Sequence, residues 1–538
     1  MKYFRLISIP LFLTLSFTQP QFVEISEVAG VQSAIQGRGV CIVDINNDNL
    51  DDFFVCNHSG NDKLYLNEDN FQFMDISEES GTAYSGASQV AVAADYDADG
   101  FIDIFVGVSN NLAKLYRNNG DNTFTETSFD VGLIYTGNIL GAAWGDYNND
   151  GWLDLYIANF NERNYLFENN SGVFTDVTFE VGAQGPMSDL CMQAIFLDYD
   201  EDGDTEIIGT QDGYRGNYLL TMQPNNMYSD IAGMVGIEAD DILQGMGVMA
   251  GDYNRDGRFD LYFTNLHENI LFRQDDNGMF TDVSEESGTQ DLPMSMAWGS
   301  SFFDADNDGW LDIFSNNESG FGGVPTSFFH NLGDGTFTDI AINSGLYLWN
   351  SGYGCAIADF ENDGDTDLIA VGYDVENGIL LFENQSPQRN WLEFRLSGNI
   401  PNRFAIGSVI TLWTNNGEQQ KQVLQAGTGF CSQDSYTINF GLNELTSVDS
   451  LVIKWPSDQI TYFPMEINTL ISINENQVCI PYGEVNGDFS IDVLDIVAVV
   501  AYILDSLNFD ELQGCQADLN QDNSIDVLDV VIIVSEIL

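Results

Sequence analysis

Residues 95–103 read DYDADGFID, and the pattern returns as DINNDNLDD (44–52), DYNNDGWLD (146–154), DYDEDGDTE (198–206), DYNRDGRFD (252–260), DADNDGWLD (304–312) and DFENDGDTD (359–367). Successive copies begin 51 to 55 residues apart. A fixed period of that size marks a solenoid or a propeller. Every copy has an oxygen-bearing side chain at positions 1, 3, 5 and 9, and glycine, or Asn49 in the first copy, at position 6. This spacing wraps a short loop round a hard cation. Alternate side chains turn inward, position 7 lends its carbonyl, and glycine permits the tight bend. The expected ligands are Asp44, Asn46, Asp48 and Asp52; Asp95, Asp97, Asp99 and Asp103; Asp146, Asn148, Asp150 and Asp154; Asp198, Asp200, Asp202 and Glu206; Asp252, Asn254, Asp256 and Asp260; Asp304, Asp306, Asp308 and Asp312; and Asp359, Glu361, Asp363 and Asp367. The expected cofactor is Ca²⁺, one ion per loop.

Each loop sits inside a β unit. In the second repeat VAVAAD is a short apolar strand, IFVGV follows the loop, and KLYRNNGDNTFTET reads as a hairpin turning at Asn-Gly-Asp-Asn. Four strands in about 50 residues, with no helical period, describe a propeller blade. The expected fold is therefore mainly β, a seven-bladed propeller over residues 21–387. The seventh unit stops at GILLFENQSPQ without the outer strand that ends the others, while QFVEISEVAG (21–30) supplies a spare copy ahead of the first loop. The N-terminal strand is expected to complete the last blade and remove an open sheet edge. Strand alternation places the acidic loops on one face and the second-to-third-strand and inter-blade loops on the other. Arg38, His58, Arg163, Tyr214, Arg215, His267, Phe321 and Trp349 fall on that second face. Of these, Arg163, Tyr214, Arg215, His267 and Trp349 are the candidate ligand-binding residues.

The chain has 538 residues, with 83 acidic and 16 basic side chains and a net charge of −67. Seven ring ions and two in the tail would still leave about −49, so metal explains only part of the acidity. The remainder suits a solvated surface in salty water and excludes nucleic-acid binding, because phosphates would be repelled. Residues 1–18 read as a secretory signal, with Lys2 and Arg5 ahead of an apolar run from Leu6 to Phe17. That run is too short for a permanent membrane anchor, so the protein is expected to be exported, secreted or held at the cell surface. Seven cysteines are few for an exported chain. Cys479 and Cys515 each precede a tail loop and are a plausible disulfide. Cys41 and Cys56 could meet across paired strands. Cys191, Cys355 and Cys431 read as small buried residues.

The repeats resemble the FG-GAP/VCBS repeats of integrin α-subunit propellers and bacterial surface proteins. Residues 388–475 lose the acidic loops and read as a small β-sandwich. NRFAIGSVITLW, GTGFCSQDSYTINFGL and VDSLVIKWPSDQ resemble the ASPIC/UnbV domain of the cartilage acidic protein-like family. Trp391, Trp413 and Trp455 read as core residues of that sandwich. In residues 476–538, EVNGDFSIDVLD and DLNQDNSIDVLD each lead into one apolar helix. They resemble a type I dockerin, a small helical calcium-binding domain. The resemblance implies two more ions, held by Glu484, Asn486, Asp488, Asp492 and Asp495 and by Asp518, Asn520, Asp522, Asp526 and Asp529, and a cohesin-like or surface partner. Val493-Leu494 and Val527-Leu528 stand where that family usually carries Ser-Thr, which alters the surface read by the partner.

No G-x-S-x-G, H-E-x-x-H or P-loop pattern occurs, and His58, His267 and His330 fall in different repeats. The reading is a calcium-dependent, non-catalytic binding or adhesion protein for an extracellular glycan or protein ligand. A polysaccharide-active, lyase-like propeller is the alternative.

Overall fold

The computed structural model describes residues 19–538 except 186–189, 214, 240–243, 321–322, 374–377, 415–416, 458, 463–466, 476–482, 484, 487–490, 505, 510, 521–523 and 538. The signal segment therefore lies outside the described residues, as do Tyr214, Phe321, Cys479, Glu484, Asp488 and Asp522.

Each nonapeptide joins the first strand of a four-stranded antiparallel unit to its second. The first strands are Gly37–Val43, Ser88–Ala94, Thr136–Gly145, Cys191–Leu197, Gln244–Gly251, Ala297–Phe303 and Gly352–Ala358. Position 1 of every loop directly follows one of them, and position 9 opens the second strand, as Asp52, Asp103, Asp154, Glu206, Asp260, Asp312 and Asp367. First and second strands are buried on both faces, so they read as unbroken small or apolar runs such as SQVAVAA. The short outer strands follow Phe-Thr-Asp or a close variant, with phenylalanine inward and the two polar residues outward.

Each first strand packs on the next in sequence, and Gly352–Ala358 packs on Gly37–Val43, so the succession closes into a ring. The last unit takes its outer strand from the other end of the chain. Phe22–Glu24 pairs antiparallel with Ile379–Asn384, Phe22 opposite Asn384. Its ring buries Phe22 edge-on against Phe303 and Phe328.

Two sheets follow. One orders Ile438–Asn443, Asn390–Ser397 and Leu470–Asn474; the other orders Gln419–Val423, Val409–Thr414, Val448–Lys454 and Gln459–Tyr462. They enclose a core of Leu392, Phe394, Ile410, Leu412, Phe440, Leu451, Ile453 and Trp455, which makes them a sandwich. Of the three tryptophans expected in that core, only Trp455 is fully buried. Trp391 and Trp413 are half-buried, and Trp391 leaves the core because it faces the opposite side of its strand from Leu392.

The tail forms helices Val493–Ile503, Glu511–Ala517 and Val527–Ile537, the first packed on the third round Val499 and Ile533. No described helix is long and apolar enough to cross a membrane. Cys515 is disulfide-bonded; the partner expected for it, Cys479, lies outside the described residues. Cys41 and Cys56 are both free thiols, contrary to the expected bridge. Their strands do pair, but Phe54, not Cys56, stands opposite Cys41.

Candidate metal centres and the two faces of the ring

The seven loops share one internal scaffold. The position 1 carboxylate accepts the position 6 N–H in every copy, from 2.5 Å at Asp304 to 3.3 Å at Asp198. Position 5 accepts the N–H of position 7, as from Phe101 to Asp99 at 3.0 Å. In six of the loops, all but 252–260, position 9 accepts the N–H of position 2, and in all seven it accepts a bond from the third strand, as Asp103 does from Tyr96 and Asn118. Position 4 is left-handed throughout, with φ between 55° and 60°, and so is position 6. Position 4 tolerates Ala98, Glu201 and Arg255 at its smaller φ, whereas the φ of 69° at Asn49 and 85–94° at the glycines makes glycine or asparagine the favoured residue at position 6.

Carboxylate oxygens within 4.8 Å of one another gather at Asp95, Asp97 and Asp99, at Asp198, Asp200 and Glu206, and at Asp304, Asp306 and Asp308. Burial, partly offset by the backbone N–H groups, pushes Asp95 up to about 6, Asp252 to about 7, and Asp154 and Glu206 to about 9. Repulsion between carboxylates within each loop adds to the rise. Asp97 Oδ1, Asp198 Oδ1, Asp260 Oδ2 and Asp306 Oδ2 are buried without a hydrogen-bond partner. A divalent ion would reverse the sign of that repulsion and satisfy those oxygens, so the residues fit a hard cation. His330 Nδ1 lies 3.0 Å from Asp312 Oδ1; burial of the imidazole is outweighed by that carboxylate, which lifts His330 to about 9.

Two sets of contacts tie neighbouring loops together, and neither was read from the sequence. The first is the amide ending most third strands. Asn118 Nδ2 donates to Ile102 O in its own unit and to Ile45 O in the preceding one, at 3.1 and 2.7 Å. Asn67, Asn169, Asn331 and Asn384 repeat both bonds, and Gln274 repeats the one to the preceding unit. The recurrent asparagine in LYLN, LYRN, LFEN and FFHN was the available signal. The second is position 4. Asn47, Asn149, Asn307 and Asn362 donate to the position 6 carbonyl of the next loop, and Arg255 does so through Nε.

The sandwich sits on this face. Beyond residue 388 the chain holds five basic residues, Arg389, Arg395, Arg403, Lys421 and Lys454, and all five reach the acidic loops. Arg389 meets Asp306 at 2.6 Å and Lys454 meets Asp198 at 2.8 Å. Arg395 donates to Asn49 O and Asn362 Oδ1. Where position 4 is Ala98 or Glu201 and makes no link of its own, the sandwich intervenes. Arg403 donates to Ala98 O, and Lys421 bridges Glu201 and Gly257 O.

The segment between Gln419–Val423 and Ile438–Asn443 enters the ring axis and touches all seven first strands. Trp144 N donates to Ala426 O, Val248 N to Gly429 O, Ala91 N to Cys431 O, Ile42 N to Gln433 O and Ile357 N to Asp434 Oδ1. Cys431 N donates to Gln193 Oε1, and Ser301 Oγ to Asp434 Oδ1. A Cβ at Gly429, where φ is 60°, would lie 2.5 Å from Ser300 O, so GTGF packs at backbone distance. The channel of the ring is thereby filled.

The opposite face carries the candidate ligand residues. Arg163 stacks on Tyr165 and Phe179. Arg215, His267 and Trp349 are exposed, and Trp349 lies 6.1 Å from Tyr347. The described contacts do not bring these four together. Arg38 instead stacks on Tyr353 and Tyr373 at the axis, beside the Trp298–Phe430 pair that seals it.

In the tail, Asp495 and Asp529 are fully buried. Asp495 accepts from Val485 N, Asn486 N and Asp492 N, and Asp529 repeats two of these bonds with Asn520 N and Asp526 N. Asp492 and Asp526 cap the helices through Leu494 N and Leu528 N. Asp518 begins the second loop at the end of a helix whose last residue is Ala517.

The chain belongs to the FG-GAP-like repeat family, whose pattern matches residues 44–106, 95–157, 146–209, 198–263, 252–315 and 304–370. Residues 398–479 match the ASPIC and UnbV family, and residues 482–538 the dockerin type I domain. Among individual proteins it is homologous to cartilage acidic protein 1. It is 25% identical to the Xenopus tropicalis protein over 506 residues, which is 81% of this chain and 73% of that one. It is 24% identical to the Homo sapiens protein over 480 residues, 78% of this chain and 69% of that one. Among solved structures, YCF48 from Cyanidioschyzon merolae aligns over 67% of this chain and 98% of its own, at 10% identity and a TM-score of 0.41.

Proposed function

We propose that the chain is a secreted, non-catalytic binding protein in which Ca²⁺ ions hold a seven-bladed propeller in shape. The ring (21–387) presents a ligand-binding face, and the sandwich (388–475) closes the other side. The tail (476–538) attaches the molecule to a cohesin-like or surface partner. The observation that carries the reading is the coverage of the metal-loop face. With that face under the sandwich and the axis filled, the ring's broad free surface is the opposite one. It bears Arg163, Arg215, His267 and Trp349, together with exposed Leu292, Met294 and Tyr347. Large exposed apolar residues on loops of a rigid scaffold suit recognition of a glycan or protein. The titratable groups expected to do chemistry in an enzyme are instead at ligand spacing in the loops.

The tail supports the docking role. Val493, Leu494, Val527 and Leu528 are 57–64% exposed, one pair at the start of each loop-following helix. A partner would therefore meet two equivalent apolar pairs instead of hydroxyl groups.

The test is an array of extracellular glycans and matrix proteins probed with the full chain in calcium, with a parallel assay for unsaturated sugar products. Binding lost on substitution of Trp349 and Arg163, without turnover, supports the reading. New ultraviolet absorbance from polymer would establish a lyase instead.

A further inference from the structure

The strand Asn390–Ser397 alternates. Leu392, Phe394 and Leu396 enter the sandwich core, while Trp391, Glu393 and Arg395 face the ring. Trp391 lies on the seventh loop so closely that a Cβ on Gly364 would fall 2.0 Å from its ring. Arg395 reaches Asn49 O and Asn362 Oδ1. Between them stands Glu393, a carboxylate 1% exposed. Its Oε1 has a single long bond, 3.3 Å from Asn439 Nδ2, and its Oε2 has no partner. The group it faces is Asp359, position 1 of the 359–367 loop. Both line a cavity of about 110 Å³ between ring and sandwich. Two buried carboxyls face to face, one with an unsatisfied oxygen, form a costly arrangement unless a cation or a shared proton lies between them.

We propose that Glu393 supplies a carboxylate oxygen to the cation of the 359–367 loop, so that one Ca²⁺ is shared between ring and sandwich. This rests on the calcium reading above but assigns a ligand outside the repeat. The chemistry is that of a hard divalent cation taking oxygen ligands from two domains. The sandwich sends an arginine or lysine to six of the loops, the seventh included through Arg395 on Asn362, but at the seventh it also brings a buried carboxylate to the position 1 aspartate. That carboxylate would add an oxygen ligand from the second domain.

The test uses the full chain, stripped with EGTA and titrated with Ca²⁺ under native mass spectrometry, and with Tb³⁺ under luminescence excited through tryptophan. Glu393→Gln is expected to lose one ion at a free calcium that saturates the wild type, a drop of tenfold or more in the affinity of one site. Asp359→Asn should lose the same ion, with no further loss in the double variant. Trp391→Phe should remove the Tb³⁺ signal that Glu393→Gln also removes. Melting in EGTA checks folding, since Glu393→Gln should melt no lower than wild type there and gain less on adding calcium. Unchanged stoichiometry and affinities in Glu393→Gln would overturn the proposal, leaving Glu393 as a protonated partner of Asp359. A wild type that binds no ion would overturn both this inference and the calcium reading.

Discussion

Asn67 Nδ2 donates to the carbonyl of Phe360 at 2.9 Å across 293 residues of sequence. The same side chain holds Asp51 O in its own unit. It is the bond Asn118 makes to Ile45 and Asn169 makes to Tyr96, but here it joins the first unit to the last. The ring therefore closes twice, once through the Phe22–Glu24 strand and once through this amide.

Asn67→Ala should remove two buried hydrogen bonds and leave two carbonyls unpaired, at a cost of about 2–4 kcal/mol. Asn118→Ala should cost a similar amount. Deleting residues 21–30 should cost more, because it exposes the edge of Ile379–Asn384 and the cavity Phe22 fills. Thermal unfolding of the three variants checks this; a truncation that melts with wild type contradicts it.

Gly203 separates conformation from packing. Its φ is 93° and a Cβ there would meet nothing within 4 Å. Gly203→Ala should thus cost about 1 kcal/mol from backbone strain alone. Gly203→Asn should cost less, since Asn49 occupies the same position of its loop at φ 69°. Denaturant midpoints in saturating calcium would show the order Gly, Asn, Ala.

Asp434 in the axial segment gives a pH signature. Burial holds it at about 6, against hydrogen bonds from Ile357 N, Thr428 and Ser301 that lower it. The thiols of Cys41 and Cys355 are the titratable groups facing it, and both stay protonated. The folded chain binds this proton more tightly than the unfolded one. Stability from the group is therefore full below pH 4 and is lost as pH rises through 6. Asp434→Asn should match wild type near pH 4 and exceed it at pH 7 by up to about 3 kcal/mol. A difference that does not change with pH contradicts this.

Replacing Leu494 and Leu528 by threonine restores a hydroxyl to each exposed pair without touching Asp495 or Asp529. Melting should be unchanged. Capture of the tail's partner in pull-down from the source organism should fall at least tenfold, because each buried leucine contributes about 1.5–3 kcal/mol.

The repeat, the strand order and the strand exchange at closure were all legible, because period, turn chemistry and the missing outer strand are one-dimensional signals. The axial segment was not. GTGFCSQDS carries no periodicity, and its partners come from seven separate strands. Glu393 was hidden for a similar reason. Alternation marks Trp391, Glu393 and Arg395 as one face of a strand, but not that the face meets an acidic ring instead of water. Trp391 was taken for core because large aromatics usually are, when it covers Gly364. The cross-strand thiols failed on register, which a sequence of short strands does not specify to within two residues.

On the calcium reading, ions fill the acidic loops and the filling holds the ring. At ten times the dissociation constant each ion contributes about 1.4 kcal/mol by linkage, or roughly 10 for seven. Native mass spectrometry of the full chain with and without chelator, alongside its melting curve, decides the matter. The expected result is nine calcium ions per chain and a melting temperature that falls steeply when they are removed. Empty loops at millimolar calcium, or a melting curve indifferent to EDTA, would contradict it.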